Sequence, residues 1–95
     1  MSRIIGNVHN PEPNPYGSDV FVELLDPESS RRRLYSSKVN LEGAYDLDGV
    51  NAGSYLLFCS AWGTDTRYYW EIPVTLGLDE SIKINLLADA AQTLQ

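Results

Sequence analysis

Apolar residues recur at every second position in short runs along this chain, and this period most constrains its fold. The alternation is clear in residues 4–8, 20–24, 72–76 and 82–86. Successive side chains of a strand point to opposite faces of a sheet, so runs of this kind predict half-buried strands. Seven such runs, separated by turn-forming residues, are typical of an all-β sandwich.

Between these runs lie segments that break the strand pattern. The predicted strands span residues 4–8, 20–24, 34–39, 44–47, 53–61, 69–76 and 81–87. Prolines at positions 11, 13 and 15 cannot donate to a ladder, so residues 10–17 are predicted as an extended loop. Residues 26–30 are predicted as a turn, and residues 40–43 and 48–49 flank the short fourth strand. Arg31, Arg32 and Arg33 are predicted as a solvated loop between two strands, with an anion-binding spot as the alternative.

Length and charge limit the kinds of protein this can be. A chain of 95 residues makes one domain, here residues 1–88, with residues 89–95 predicted as a frayed C-terminal tail. The net charge of −6 disfavours nucleic-acid binding, which needs a cationic surface, and no apolar run is long enough for a membrane span. The lone Cys59 predicts a buried small hydrophobe and no internal disulfide. The compartment stays open: cytoplasmic if Met1 is the native start, extracytoplasmic if the chain was trimmed from a secreted parent.

A more specific pattern occupies the middle of the chain. Residues 39–45 read Val-Asn-Leu-Glu-Gly-Ala-Tyr, and Leu47, Val50, Gly53 and Tyr55 follow. This stretch resembles the carboxypeptidase regulatory-like family, although Asn40 stands where aspartate is usual and Val39 where threonine is usual. The resemblance covers about residues 3–87 and implies a transthyretin-like (prealbumin-like) fold, a seven-stranded Greek-key β-sandwich.

The residues of this pattern have structural explanations of their own. Gly43 follows two polar residues at a bend where a positive φ suits glycine. Tyr45 and Leu47 are then predicted to face Tyr55, Leu57 and Cys59 across the core. These requirements specify a fold and no chemistry.

Enzymes with related sandwiches need residues that this chain lacks. Hydroxyisourate hydrolases need several histidines and a C-terminal Tyr-Arg-Gly-Ser, and intradiol dioxygenases hold iron with two tyrosines and two histidines. Here His9 is the only histidine. It and one cysteine cannot supply the usual zinc ligands, and no partner pattern for a catalytic triad accompanies them. We therefore expect no catalysis, no metal and no cofactor.

Cross-linked collagen-adhesin repeats give a further comparison. They join a first-strand lysine to a last-strand asparagine. Asn85 lies in the last predicted strand, but the first strand offers Arg3 and no lysine. An isopeptide bond is therefore not expected.

The least ordinary feature is an aromatic segment that contains Trp62, Tyr68, Tyr69 and Trp70 around a Gly-Thr-Asp-Thr turn. In one interpretation, alternation places Trp70 in the core with Ile72, Val74 and Leu76. In the other, Trp62, Tyr68 and Tyr69 form a wet aromatic platform at one end of the sandwich, since Trp and Tyr give much contact area at low entropic cost. Leu56 and Phe58 alternate away from the core side of their strand, and a strand that is apolar on both faces needs a cover.

These observations favour a non-catalytic interaction or structural module that docks on a protein partner or self-associates. The predicted binding residues are Leu56, Phe58, Trp62, Tyr68, Tyr69 and Trp70. The alternative is a carbohydrate-binding module that uses the aromatic platform, a use that resembles starch-binding domains.

Overall fold

The described residues form eight strands in two sheets that pack face to face. The computed structural model describes residues 1–12 and 19–94, without the side chains of residues 30, 31 and 94. The strands are β1 Ser2–Asn7, β2 Phe21–Asp26, β3 Ser29–Lys38, β4 Ala44–Val50, β5 Gly53–Trp62, β6 Arg67–Leu76, β7 Ser81–Lys83 and β8 Gln92–Leu94. A single 3₁₀ turn, Ala88–Ala90, precedes β8.

The two sheets exchange chain segments repeatedly. One sheet has the order β4-β1-β7 and the other the order β3-β2-β5-β6-β8. The pairs β2–β3 and β5–β6 are antiparallel and consecutive in the chain, whereas the connections β3–β4, β4–β5 and β6–β7 cross from one sheet to the other. β1 pairs in parallel with β7, and the bridge between Val8 and Leu86 extends that pairing. The expectation of an all-β sandwich is confirmed.

The core lies between the sheets and is built by strict alternation. In β5, Tyr55, Leu57, Cys59 and Ala61 are buried in turn. They pack with buried residues of β1, β2, β4 and β6, among them Ile4, Val22, Leu24, Tyr45, Leu47 and Trp70. The predicted packing of Tyr45 and Leu47 against the inner side of β5 is confirmed.

Tyrosine hydroxyls at the margins of this core bind backbone carbonyls. Tyr45 donates to the carbonyl of Ile84, and Tyr55 donates to the carbonyl of Asn51 at 2.6 Å. The backbone N–H of Asn51 in turn donates to the Tyr35 hydroxyl at 3.2 Å, and the Tyr35 ring meets Tyr55 edge to face at 5.8 Å. The rings are buried while their polar ends are satisfied, so these bonds hold the β4–β5 turn against the core.

The turn before β4 has the predicted glycine geometry. Gly43 has φ +87°, and the Asn40 carboxamide oxygen accepts from the N–H groups of Glu42 and Ala44, both at 2.9 Å. An asparagine in this position thus closes the turn through its side chain.

Three sequence expectations need correction. Residues 31–33 are not a loop but belong to β3, which continues the β2 hairpin after a two-residue turn at Pro27 and Glu28. Asp48 and Gly49 do not form a turn between strands. They lie within β4, where the register with β1 shifts, and Gly49 has φ +66°, as a β-bulge requires.

The third correction concerns the chain end. Residues 89–95 were expected to fray, but Gln92–Leu94 forms β8, which pairs with residues 67–69 of β6. Most of the predicted proline loop, residues 13–18, lies outside the described residues.

Gly6 permits the closest approach within the smaller sheet. A Cβ at this position would clash with the backbone carbonyl of Ile84 and lie 3.0 Å from the ring of Tyr45. That carbonyl also accepts the Tyr45 hydroxyl, and Ile84 is fixed by its own N–H bond to Ile5 at 2.9 Å. The segment after β7 can therefore pack against β1 only because position 6 has no side chain.

We expect Gly6→Ala to lower the free energy of unfolding by about 2–3 kcal/mol, since a fixed backbone atom must shift to admit the methyl group. Urea unfolding followed by tryptophan fluorescence measures the loss. Gly77→Ala is the matched control: its Cβ would approach only the Glu80 carboxylate, at 3.7 Å, so a change within about 0.5 kcal/mol is expected. Equal losses in the two variants would contradict the close approach at Gly6.

Candidate functional site

One surface of the larger sheet has no layer of this chain on it within the described residues. We name it the outer face: the side of β2, β3, β5 and β6 that points away from the three-stranded sheet. Register and alternation place its apolar members there, because each is paired with a residue that points away from the core side of the sheet. They are Phe21, Leu25, Leu56, Phe58, Trp62, Tyr69 and Pro73.

The rows of the outer face run across β5 and β6. The paired positions are Leu56 with Pro73, Phe58 with Glu71, Ser60 with Tyr69, and Trp62 with Arg67. Leu25 lies beside Leu56 on the β2 side and is only 8% exposed. The Phe58 and Tyr69 rings stack with their centroids 6.3 Å apart, so the centre of this face is a continuous apolar surface.

Charged side chains surround that apolar centre. Arg33 and Glu23 form an ion pair at 2.5 Å, and at the rim Lys38 pairs with Asp19 at 3.2 Å. These ion pairs add no net charge to the face.

The far end of the face is an arginine–tryptophan contact. The Arg67 guanidinium carbon lies 4.8 Å from the centroid of the Trp62 ring, within the range of a cation–π contact. Arg67 also donates to the Ser60 hydroxyl at 3.3 Å. Trp62 keeps 41% of its surface exposed, so part of this side chain remains in contact with solvent at the end of the face.

The structure separates the six predicted binding residues. Leu56, Phe58, Trp62 and Tyr69 share the outer face. Tyr68 pairs with the buried Ala61 and lies on the opposite side of the sheet. The predicted platform of Trp62, Tyr68 and Tyr69 is therefore not a single surface.

Tyr68 instead fixes the first loop. Its hydroxyl donates to the carboxylate of Glu12, and this hydrogen bond raises the pKa of the Tyr68 hydroxyl. The same carboxylate lies so close to Gly63 that a Cβ there would clash with it. Tyr68 and Gly63 thus anchor the chain just before residue 13 to the β5–β6 turn.

Trp70 belongs to the core. It is 2% exposed, and its indole N–H donates to the carbonyl of Leu87 at 2.9 Å. The interpretation that places Trp70 in the core is therefore correct, and Trp70 is not part of the candidate surface.

From sequence, alternation places Phe21 and Glu23 on the face opposite Val22, but they, Leu25 and Arg33 are not included in the predicted binding surface. Leu24 and Leu25 are both buried although they point to opposite sides of the sheet, since Leu24 pairs with the inner Leu57 and Leu25 with the outer Leu56. Arg33 was hidden by its assignment to a loop. The alternation of Phe21 and Glu23 against Val22 is the signal that places them outside.

The remaining groove, the histidine and the acidic side chains do not form a second candidate site among the described residues. A groove of about 690 Å³ at one end of the sandwich is lined by Val8, Val20, Lys38, Asn40 and neighbouring residues, but Lys38 and Asn40 are engaged in the contacts given above. His9 is exposed at the end of the first strand. Among the residues described, no group of three or more metal-ligating side chains comes together.

Cys59 is buried at the centre of β5, and burial raises the pKa of its thiol to about 12. The thiolate is the reactive form, so at neutral pH this side chain remains a protonated core residue.

Comparison with known proteins gives no family for this chain: no family model, curated protein or solved structure matches it. No helix in the described part of the chain has the length and apolar character to cross a membrane.

We expect the native Cys59 thiol to react with Ellman's reagent at pH 8 at least about tenfold more slowly than in urea, because burial raises its pKa to about 12 and keeps the reagent from the sulfur. The absorbance of released thionitrobenzoate measures both rates. The matched control is Cys59→Ser combined with Ser36→Cys, which moves the thiol to an exposed position and should react within minutes. Fast labelling of the native wild type would contradict a protonated, buried thiol.

Proposed function

We propose that this chain is a non-catalytic interaction module that docks on a protein surface through its outer face. One observation carries the proposal: the central strand β5 is apolar on both sides, and the described residues cover only one of them. Leu56 and Phe58 are half-buried by their neighbours, while Phe21 and Trp62 remain 43% and 41% exposed. Exposed apolar patches with a polar rim are typical of protein contacts.

The composition of the outer face also fits a protein partner. Aromatic residues and arginine supply much of the binding energy at protein interfaces, and here Trp62, Tyr69 and Arg67 occupy adjacent rows. The aromatic rings are held by neighbours, Tyr69 by Phe58 and Trp62 by Arg67. Side chains already ordered in this way lose less entropy on binding.

A transthyretin-like Greek-key topology is the finer fold that we propose for the sandwich. It is supported by the asparagine–glycine turn before β4, by the inward Tyr45 and Tyr55, and by the crossing of successive connections between the two sheets. The first strand also lies beside the last long segment, where Asn85 accepts the N–H of Asn7 at 3.1 Å.

The carbohydrate alternative has weaker support. Sugar rings stack on open aromatic faces, yet the guanidinium of Arg67 lies over the Trp62 ring, and Tyr68 is on the other side of the sheet. Only Trp62 and Tyr69 remain for a platform. We expect two-dimensional NMR spectra titrated with maltoheptaose, cellohexaose and chitohexaose to show no shift at the Trp62 indole or at Tyr69. A saturable shift at both residues would replace the protein-docking proposal with the carbohydrate one.

The docking proposal predicts where the chain contacts other proteins in the cells that make it. A photo-activated cross-linker, benzoylphenylalanine, placed at position 58 should give a discrete adduct, because that position lies at the centre of the outer face. Position 82 on β7 is the matched control, since Ile82 is also half-buried but belongs to the other sheet. Gel electrophoresis and mass spectrometry identify the adducts. Absence of an adduct from position 58, or an identical adduct from position 82, would contradict docking through the outer face.

A further inference from the structure

Two opposite charges on the outer face lack a partner of opposite sign. Arg67 contacts the Trp62 ring and the Ser60 hydroxyl, and Glu71 is exposed four residues along the same strand. Among the described residues, neither side chain forms an ion pair. Their Cα atoms lie about 13 Å apart along the strand, too far for a direct contact within one chain.

A two-fold axis would bring these charges together in pairs. Consider an axis in the plane of the face, perpendicular to the strands, through the row of Ser60 and Tyr69. Arg67 lies one row to one side of this axis and Glu71 one row to the other. The rotation therefore sets Arg67 of each copy above Glu71 of its partner, as an isologous contact requires. Packed sheets lie about 10 Å apart, a gap that arginine and glutamate side chains can span together.

The same rotation pairs the aromatic residues. Trp62 is in the row of Arg67 and Phe58 in the row of Glu71, so Phe58 of each copy packs against Trp62 of the other. The β5–β6 turn of each copy then reaches over Leu56 and Pro73 of its partner. The axis thus brings apolar groups onto apolar groups and acids onto bases.

Charge distribution favours a second copy as the occupant. The whole chain has 13 acids and 7 bases, which makes contact between most of its surfaces repulsive. On the strands that this axis brings together, residues 56–62 and 67–73, the charged side chains balance: Glu71 against Arg67. Two acidic domains can therefore meet here with the least repulsion.

The area available about this axis suits a weak, transient dimer. The two copies overlap over residues 56–62 of β5, residues 67–73 of β6 and the turn between them, whereas β2 and β3 lie almost wholly on one side of the axis and stay outside the overlap. Two strands of about nine residues give roughly 300 Å² per copy and roughly 600 Å² for the pair, below the size of stable specific interfaces.

We propose that the outer face binds a second copy of this chain about this two-fold axis, with Arg67 of each copy paired to Glu71 of the other and Phe58 packed on Trp62. The proposal rests on the function proposed above and names its partner. On this proposal, the interaction module is a homodimerisation domain.

Sedimentation velocity from about 5 µM to about 1 mM tests the dimer, a concentration range chosen for an interface of this size. Arg67→Glu and Glu71→Arg each place like charges opposite one another, so each should weaken the dimer at least about tenfold. The double variant Arg67→Glu/Glu71→Arg exchanges the charges and should restore the dissociation constant to within about threefold, because every cross-copy pair is again of opposite sign. Lys83→Glu is the matched control: it makes the same change of charge at an exposed position on β7 and should leave the dimer unchanged.

Several outcomes would overturn the proposal. A monomer at every concentration excludes the second copy. A dimer that survives both single variants, or that the double variant fails to restore, excludes the proposed axis. Circular dichroism and urea unfolding of each variant separate a lost interface from a lost fold.

The cross-linking experiment separates this proposal from the function on which it rests. An adduct at position 58 with twice the chain mass supports the second copy. An adduct with a different protein, from a chain that sediments as a monomer, overturns the homodimer and leaves docking through the outer face intact. No adduct from position 58 removes both.

Discussion

Burial of one side of β5 against the smaller sheet is the interaction on which the rest of the fold depends. β5 is the middle strand of five, and its alternate residues Tyr55, Leu57, Cys59 and Ala61 are removed from water. A strand in this position pairs on both edges, so its backbone hydrogen bonds are satisfied and its side chains decide the register. The three-stranded sheet is held onto this surface from the other side, chiefly through Ile4, Tyr45 and Leu47.

The smaller sheet is held together through backbone as well as through side chains. Gly6, Tyr45 and Ile84 form a contact in which a missing Cβ, a hydroxyl and a carbonyl occupy one small space. No larger residue at position 6 allows the segment after β7 to lie there. Pairing of β1 with that segment in turn fixes the only parallel pairing among the described strands, so a single glycine sets how the end of the chain returns to its beginning.

The strands could be predicted from sequence because their alternation is strong and their turns have distinctive residues. Val22 and Leu24, or Val74 and Leu76, indicate their burial by spacing alone, and Gly43 indicates its turn by chemistry. The failures occurred where local composition opposed the tertiary context. Three consecutive arginines resemble a solvated loop, yet Arg33 lies on an edge strand where charge is tolerated and where it meets Glu23.

Asp48 and Gly49 have the composition of a hairpin turn, but pairing with β1 continues on both sides of them and makes them a bulge. β8 was missed because a strand of three residues has too short a pattern to detect, and only its pairing with β6 stabilises it.

The candidate surface was predicted in part for a related reason. Alternation alone places Leu56 and Phe58 away from the core, and it places Trp70 inside. It does not show which strands lie beside them, since neighbours in a sheet come from distant parts of the chain. The contribution of β2 to the outer face, and the position of Arg67 over Trp62, follow only from the strand order.

The short length of β8 has a consequence for how this domain can associate. Because β8 pairs only with residues 67–69, the remainder of β6, residues 70–76, has no strand beside it on that edge among the residues that the structure describes. Such an edge invites the addition of a foreign strand and, from there, fibril growth. Pro73 stands in the middle of it, and proline is accommodated in a sheet where its nitrogen points away from the neighbouring strand. An incoming strand therefore meets a position with no hydrogen-bond donor, which protects the domain against uncontrolled polymerisation through this edge.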